Sequence, residues 1–254
     1  MSAGAAKSVR DAGLSLGRSN RRRRRSGVGG EGGGVRSHIV TDPAIVFASM
    51  RANSAAKRAF DVFASLSGLI ALLPILLTVA VLIWLEDRGP ALYGHRRVGR
   101  QGRTFKCWKF RSMVRDGDAV LAAHLARNPA AEVEWRETQK LTADPRVTRI
   151  GAFLRKTSLD EFPQLWNVLI GQMSIVGPRP ITRAELDRYG KDRRYYLLVR
   201  PGITGLWQVS GRSTTTYERR IALDRNYLEN WSFSQDAAIL LKTVPAVLKS
   251  EGAT

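Results

Sequence analysis

Asp160 and Glu161 stand side by side in the run Leu154–Pro180, LRKTSLDEFPQLWNVLIGQMSIVGPRP. Arg155 and Lys156 lie just upstream. An ionised carboxylate beside such cations can serve as a metal ligand or as a nucleophile toward phosphorus. Phe162, Leu165, Trp166, Leu169 and Ile170 recur at helical spacing, and Gly171 supplies a stop. The start has two registers. Ser158 and Glu161 fit an S-x-x-E capping box, which leaves Pro163 beyond the first turn. With Asp160 as the N-cap, Pro163 falls inside it. Both registers put the two acids at a helix N-terminus, where the local dipole favours their ionised form. Adjacent residues do not share a helix face, so the acids have different tasks. The plainer alternative is that both only cap a helix.

Other elements must bring cations to these acids. Ala91–Arg97 and Arg103–Phe110 alternate in polarity around a glycine-containing turn at Gly99–Gly102, the pattern of a β-hairpin. Lys109 and Arg111 sit at its exit, and so Arg-rich an edge is either simply solvated or holds phosphate. Gly177-Pro178-Arg179-Pro180 is stiff backbone that would fix Arg179. Neither a P-loop nor a dinucleotide fingerprint is present. Residues 113–140 read as helix with a break at Asn128–Pro129, and Asp144–Pro145 as a turn. Residues 182–199 read as a basic amphipathic helix ending in YYLLV, fit for a membrane interface or a core. Pro201–Ser213 is a Gly/Pro-punctuated loop carrying Trp207. Tyr217–Leu248 reads as one or two helices, with Asp224 a further acidic candidate.

One segment ties all this to a membrane. The 24 residues Val62–Leu85 carry no charge, and about 20 apolar residues suffice to cross a bilayer. Pro74 lies near the middle, where proline kinks or breaks a helix. Both flanks are basic, with Arg51, Lys57 and Arg58 before and Arg88, Arg96 and Arg97 after. Cationic flanks favour the cytoplasmic side. A helix that enters, bends at Pro74 and returns exports neither flank; a Pro-kinked span exports one.

The 254 residues carry a formal net charge of +19, which calls for a polyanionic partner. Residues 1–54 form a basic Gly/Arg-rich tail, expected to be disordered, with a solid run at Arg21–Arg25. That run suits anionic lipid of the inner membrane or is merely solvated; no nucleic-acid partner is expected. A single cysteine, Cys107, excludes an internal disulfide and a cysteine-rich zinc site, and reads as a structural thiol.

Four stretches together resemble a known family: KRAFDVFASLSGLIALLPILL, GPALYGHRRVGRQGRTFKCWKFRSM, DPRVTRIGAFLRKTSLDEFPQLWNVLIGQMSIVGPRP and PGITGLWQVSGR. The chain resembles the bacterial sugar transferases, the monotopic phosphoglycosyl transferases or polyprenyl-phosphate hexose-1-phosphate transferases, over about residues 55–254. It is similar to the exopolysaccharide-initiating type and lacks the multi-span extension of longer members. The resemblance implies an α+β, mostly helical fold. In it a re-entrant membrane helix-hairpin at 55–86, broken at Pro74, carries a cytoplasmic catalytic domain at 87–254 with a β-hairpin and amphipathic interfacial helices. It implies transfer of a sugar-1-phosphate from a UDP-sugar to undecaprenyl phosphate, with UMP leaving and Mg²⁺ required. Asp160 would be the nucleophile, forming a covalent phosphosugar intermediate, and Glu161 would support it and help with the metal or a proton. Arg155 matches the family's phosphate-binding arginine. Lys109, Arg111, Arg179 and Asp224 match recurring polar positions of the substrate site. Two positions depart from the usual pattern: Leu73 stands where serine often precedes the proline, and Gln172 stands in the usual Gly-Asp-Met-Ser.

Charge and the apolar segment alone fit a non-catalytic membrane-anchored basic binding module equally well. Such a module has no need of Asp160. An ordinary glycosyl transferase acting on a lipid-linked sugar would release UDP rather than UMP. The sequence leaves galactose, glucose and an amino sugar open.

Overall fold

The organising element is α2, Ala55–Asp87, a helix of 33 residues and about 50 Å. Ser54 caps its start, accepting from Lys57 N–H. Pro74 lies inside it without interrupting the helix assignment, so the expected division into two arms is not a gap between separate elements. The computed structural model describes residues 42–138, 140–211 and 215–248. Among these, only this helical stretch is long and apolar enough to cross a membrane by length and composition. Most of its side chains stay exposed; Phe63, Ile70 and Leu77 are more than half so. Apolar side chains gain about 1.5–3 kcal/mol each when taken out of water, so this face favours an apolar cover.

The other face of α2 packs along the rest of the molecule, which is mostly helical with two small sheets. Near the start, Arg58 donates to the carbonyls of Val168 and Leu169, and Asp61 accepts from Ser174 Oγ and Ile175 N–H, both at 3.0 Å. Lys57 pairs with Asp236, which also accepts from Tyr227 and Trp231. All four charged groups find partners, as burial demands. At the far end, Glu86 accepts from the backbone N–H groups of Arg149 and Ile150, and Arg111 binds both carboxylate oxygens of Asp87.

The hairpin forms as the alternation predicts, β1 Leu92–Val98 against β2 Thr104–Phe110. Gln101 and Gly102 take positive φ in its turn. Helices α3 (Gly117–Arg127) and α4 (Pro129–Thr138) part at Asn128. Then come α5 (Arg149–Thr157), the short α6 (Gln164–Leu169) and β3 (Ser174–Val176). The amphipathic helix expected over 182–199 is divided into α7 (Arg183–Arg188) and α8 (Arg193–Leu198). Gly190, at φ +50°, lies between them. Tyr195, Tyr196 and Val199 are buried, so YYLLV serves the core rather than a lipid interface. Within the Gly/Pro loop, β4 (Gly202–Thr204) pairs in parallel with β3. Two helices, α9 (Tyr217–Glu229) and α10 (Phe233–Leu248), complete the order.

The tail reading needs a correction. Residues 43–52, expected to be disordered, form helix α1 (Pro43–Ala52), capped by Asp42. Ile45 and Ala52 enter a core cluster with Tyr227, Leu228 and Trp231. The physical reason is burial: Ile45 and Ala52 each find an apolar cover that a composition argument about the whole tail averages away. The Arg21–Arg25 run lies outside the described residues. Cys107 is buried, and burial pushes its thiol up to about 11, in keeping with a structural role.

Candidate active site

Asp160 and Glu161 lie in a short 3-10 turn, Leu159–Glu161, between α5 and α6. Ser158 ends α5 in the left-handed conformation, at φ 56°. Helix α6 begins only after Pro163. The expectation that the acids cap a helix is therefore corrected. Pro163 has no N–H to offer, and the left-handed Ser158 turns the chain before α6 begins. Side-chain cations supply the charge balance instead of a helix dipole.

Lys109, from β2, reaches both acids: its Nζ is 2.6 Å from Glu161 Oε1 and 3.4 Å from Asp160 Oδ2. Arg179 Nη2 lies 3.0 Å from the same Glu161 oxygen. Residues 52 positions apart in sequence are brought together by Asn167, fully buried on α6. Asn167 accepts from Trp108 N–H and donates to Lys106 C=O, which locks α6 and the acids before it against β2. It also donates to Gln172 Oε1, giving the residue at the departed position a structural partner. Arg179 is fixed by the β3–β4 crossing. A Cβ on Gly202 would meet Gly177 N at 2.1 Å, so only glycine permits that approach.

The two carboxyls are shifted in opposite directions. Burial opposes charge on Glu161, yet Arg179 and Lys109 overcome it and hold the group down at about 2. For Asp160 burial wins: it raises the pKa above the usual carboxylate value, against the pull of Lys109 and with a further push from the Glu161 charge. Glu161 is held as an anion, and Asp160 is the more basic carboxylate of the pair. Asp160 Oδ1 and Glu161 Oε2 have no protein partner among the described residues.

The acids open into a pocket of about 970 Å³. Eight Lys/Arg side chains line it among the described residues, against four acids. Arg155 is one of them; it donates to Ser112 Oγ rather than to the acids. Arg111 also lines the pocket, but its guanidinium is committed to Asp87 and the Pro90 carbonyl. Arg146 is paired with Asp144. Asp224 is not brought to the dyad. It is buried away from the lining, accepting from Tyr189 OH at 2.7 Å, and burial pushes it up to about 7. Sequence reasoning missed Asn167, Ser112, Arg115 and Arg220. Only Arg220 left a signal, since it precedes Asp224 by four residues on one helix face.

A paired carboxylate clasped by lysine and arginine, in a cationic pocket close to a long apolar helix, suits phosphorylated substrates. The comparisons with known proteins agree. A family model described as bacterial sugar transferase matches residues 52–250, and this chain belongs to that family. It is 53% identical over 196 residues to the exopolysaccharide production protein ExoY of Sinorhizobium fredii, covering 77% of this chain and 87% of that protein. It is 54% identical over 197 residues to a UDP-galactose-lipid carrier transferase of Erwinia amylovora. It is 51% identical over 200 residues to the undecaprenyl-phosphate galactose phosphotransferase of Salmonella typhimurium. Each of these two matches covers 78% of this chain but 41% of the relative, so the chain spans about two fifths of their length.

Proposed function

We propose that this protein transfers a sugar-1-phosphate from a UDP-sugar to undecaprenyl phosphate, releasing UMP, as the first membrane step of exopolysaccharide synthesis. The observation that carries the reading is the Asp160–Glu161 pair, reached by Lys109 and Arg179 at the wall of a cationic pocket. An Asp160 oxygen attacks the sugar-bearing phosphorus of the donor. The bond from that phosphorus to the UMP oxygen breaks, and UMP leaves with the electron pair. An oxygen of undecaprenyl phosphate then attacks the same phosphorus and frees the Asp160 carboxylate. The product is undecaprenyl-diphosphate-sugar, and no proton has to move in either displacement. Lys109 and Arg179 spread the charge that gathers on the equatorial oxygens. Glu161 keeps both cations aimed at the reacting centre.

A Mg²⁺ ion fits this donor set. Magnesium usually binds through one or two carboxylates together with substrate phosphates and water. Asp160 Oδ1 and Glu161 Oε2 offer two such oxygens, and no larger cluster of His, Cys or acidic ligands exists among the described residues. When bound there, the ion supplies charge neutralisation to the diphosphate.

The enzyme works at the cytoplasmic face of the inner membrane, with α2 re-entrant. Support comes from the anchoring of both helix ends. Asp61 and Glu86 are about 38 Å apart along the helix, and each bonds backbone of the rest of the fold. A helix crossing about 30 Å of hydrocarbon would pull one of those anchors through the bilayer. With cysteines at the exposed Ala55 and Leu92, an impermeant maleimide should label neither in intact cells and both after lysis. Labelling of either in intact cells means a true span.

The reaction is tested by mixing the detergent-extracted protein with undecaprenyl phosphate, Mg²⁺ and UDP-galactose, the donor that the names of two relatives suggest. UDP-glucose and UDP-N-acetylhexosamines complete the panel. Lipid-dependent release of UMP is expected. Release of UDP would instead identify an ordinary glycosyl transfer.

A further inference from the structure

Another part of the pocket lining is aromatic as well as cationic. Arg220, on α9, lays its guanidinium 4.4 Å from the Trp207 ring centre and 5.5 Å from that of Tyr217. Its charge is partly answered, by Glu185 and by the buried Asp224 one turn further along α9. The nearest carboxylate, Glu185, is 3.8 Å away and is already engaged by Arg97 at 3.0 Å and by the N–H of Thr182. Arg220 Nε and Trp207 Nε1 are both buried donors with no hydrogen-bond partner. Such donors carry a desolvation cost that a ligand acceptor can relieve. Thr204 and Thr243, hydroxyl to hydroxyl at 2.7 Å, line the same pocket.

We infer that Arg220, stacked on Trp207, binds the nucleotide half of the donor. This rests on the transferase reading above. The pocket has two substrates to seat, and their entry routes differ. The polyprenyl acceptor stays in the bilayer, so it approaches along α2, to which the pocket residue Arg111 is bound through Asp87. Arg220 instead stands on α9, which packs on α1 and α8. A guanidinium whose Nε lacks a hydrogen-bond partner, next to aromatic rings and hydroxyls, offers charge for the UMP phosphate and planes and donors for its base and ribose. A polyprenyl phosphate uses only the first of these. Asp224 stands one turn beyond Arg220 and accepts from Tyr189 OH.

The test is UMP binding by calorimetry on the full-length detergent-solubilised protein, which needs no turnover. Wild type should bind UMP. R220A should weaken it about tenfold or more. R220K keeps the charge but not the planar fork, so it should fall between the two. R225A removes an equal charge from an exposed position of the same helix and should leave affinity unchanged. In turnover, the R220 variants should raise KM for the UDP-sugar and leave KM for undecaprenyl phosphate alone. If R220A fails to fold, R220K decides. Wild-type UMP affinity in both R220 variants overturns the inference, as does an equal loss in R225A or a rise in the lipid KM alone. Absence of UMP binding by wild type overturns the transferase reading itself along with it.

Discussion

Asp160→Asn should abolish turnover, lowering the rate on the order of a thousandfold or more, the scale seen when a covalent nucleophile is removed. The amide is nearly isosteric and lacks the anionic oxygen that attacks phosphorus. The fold should survive the change. Asp160 has one long contact at 3.4 Å to Lys109, whereas the tight contacts of Lys109 and Arg179 go to Glu161. Membrane association should also survive, because α2 and its anchors do not involve Asp160. Substantial residual release of UMP, or loss of the protein from the membrane fraction, contradicts the assignment. A basic binding module would keep all its properties in this variant and show no turnover to lose.

Lys109→Met should cost on the order of a hundredfold or more in kcat, as removal of a preorganised charge at a developing anion does. It should also change the pH profile. The reactive form of Asp160 is the carboxylate, so activity falls as pH drops through its pKa. Burial raises that pKa and Lys109 lowers it. Without Lys109 the pKa rises further, and the acidic limb must move to higher pH. Glu161 keeps Arg179 and stays ionised, so the limb reports Asp160. Lys109→Arg should return part of the rate and move the limb back toward its original position. A limb unmoved in Lys109→Met would mean that the titrating group is not Asp160.

The hairpin was legible because its signals are local: alternation on both sides of Gly99–Gly102 leaves one register. The break at Asn128–Pro129 was legible for the same reason, and so was the helical character of Tyr217–Leu248, though not its division into two helices. Asp160 and Glu161 stood out by type and neighbourhood, and the resemblance gave them roles. Their backbone did not stand out, since a left-handed Ser158 before a 3-10 turn is a non-glycine conformation that composition does not announce. The partnership of Lys109 with Glu161 depends on Asn167 bridging α6 and β2, a tertiary contact without periodicity. The β3–β4 pair has three residues per strand, too few for a period-2 pattern. Tyr195 and Tyr196 show the remaining limit. An apolar run beside basic residues fits lipid and core alike, and only the packing around them decides.

The covalent intermediate is the centre of this account, and intact-protein mass measurement tests it most directly. Purified protein would be held with Mg²⁺ and UDP-galactose, then with the other UDP-sugars, in the absence of undecaprenyl phosphate. With the right donor, the account predicts a gain of one hexose phosphate, mapped to the peptide containing Asp160. The gain should be missing in Asp160→Asn and discharged by added undecaprenyl phosphate. An unmodified protein that nonetheless releases UMP as soon as the lipid is added would contradict it, and would mean that the phosphate passes from donor to lipid in a single displacement.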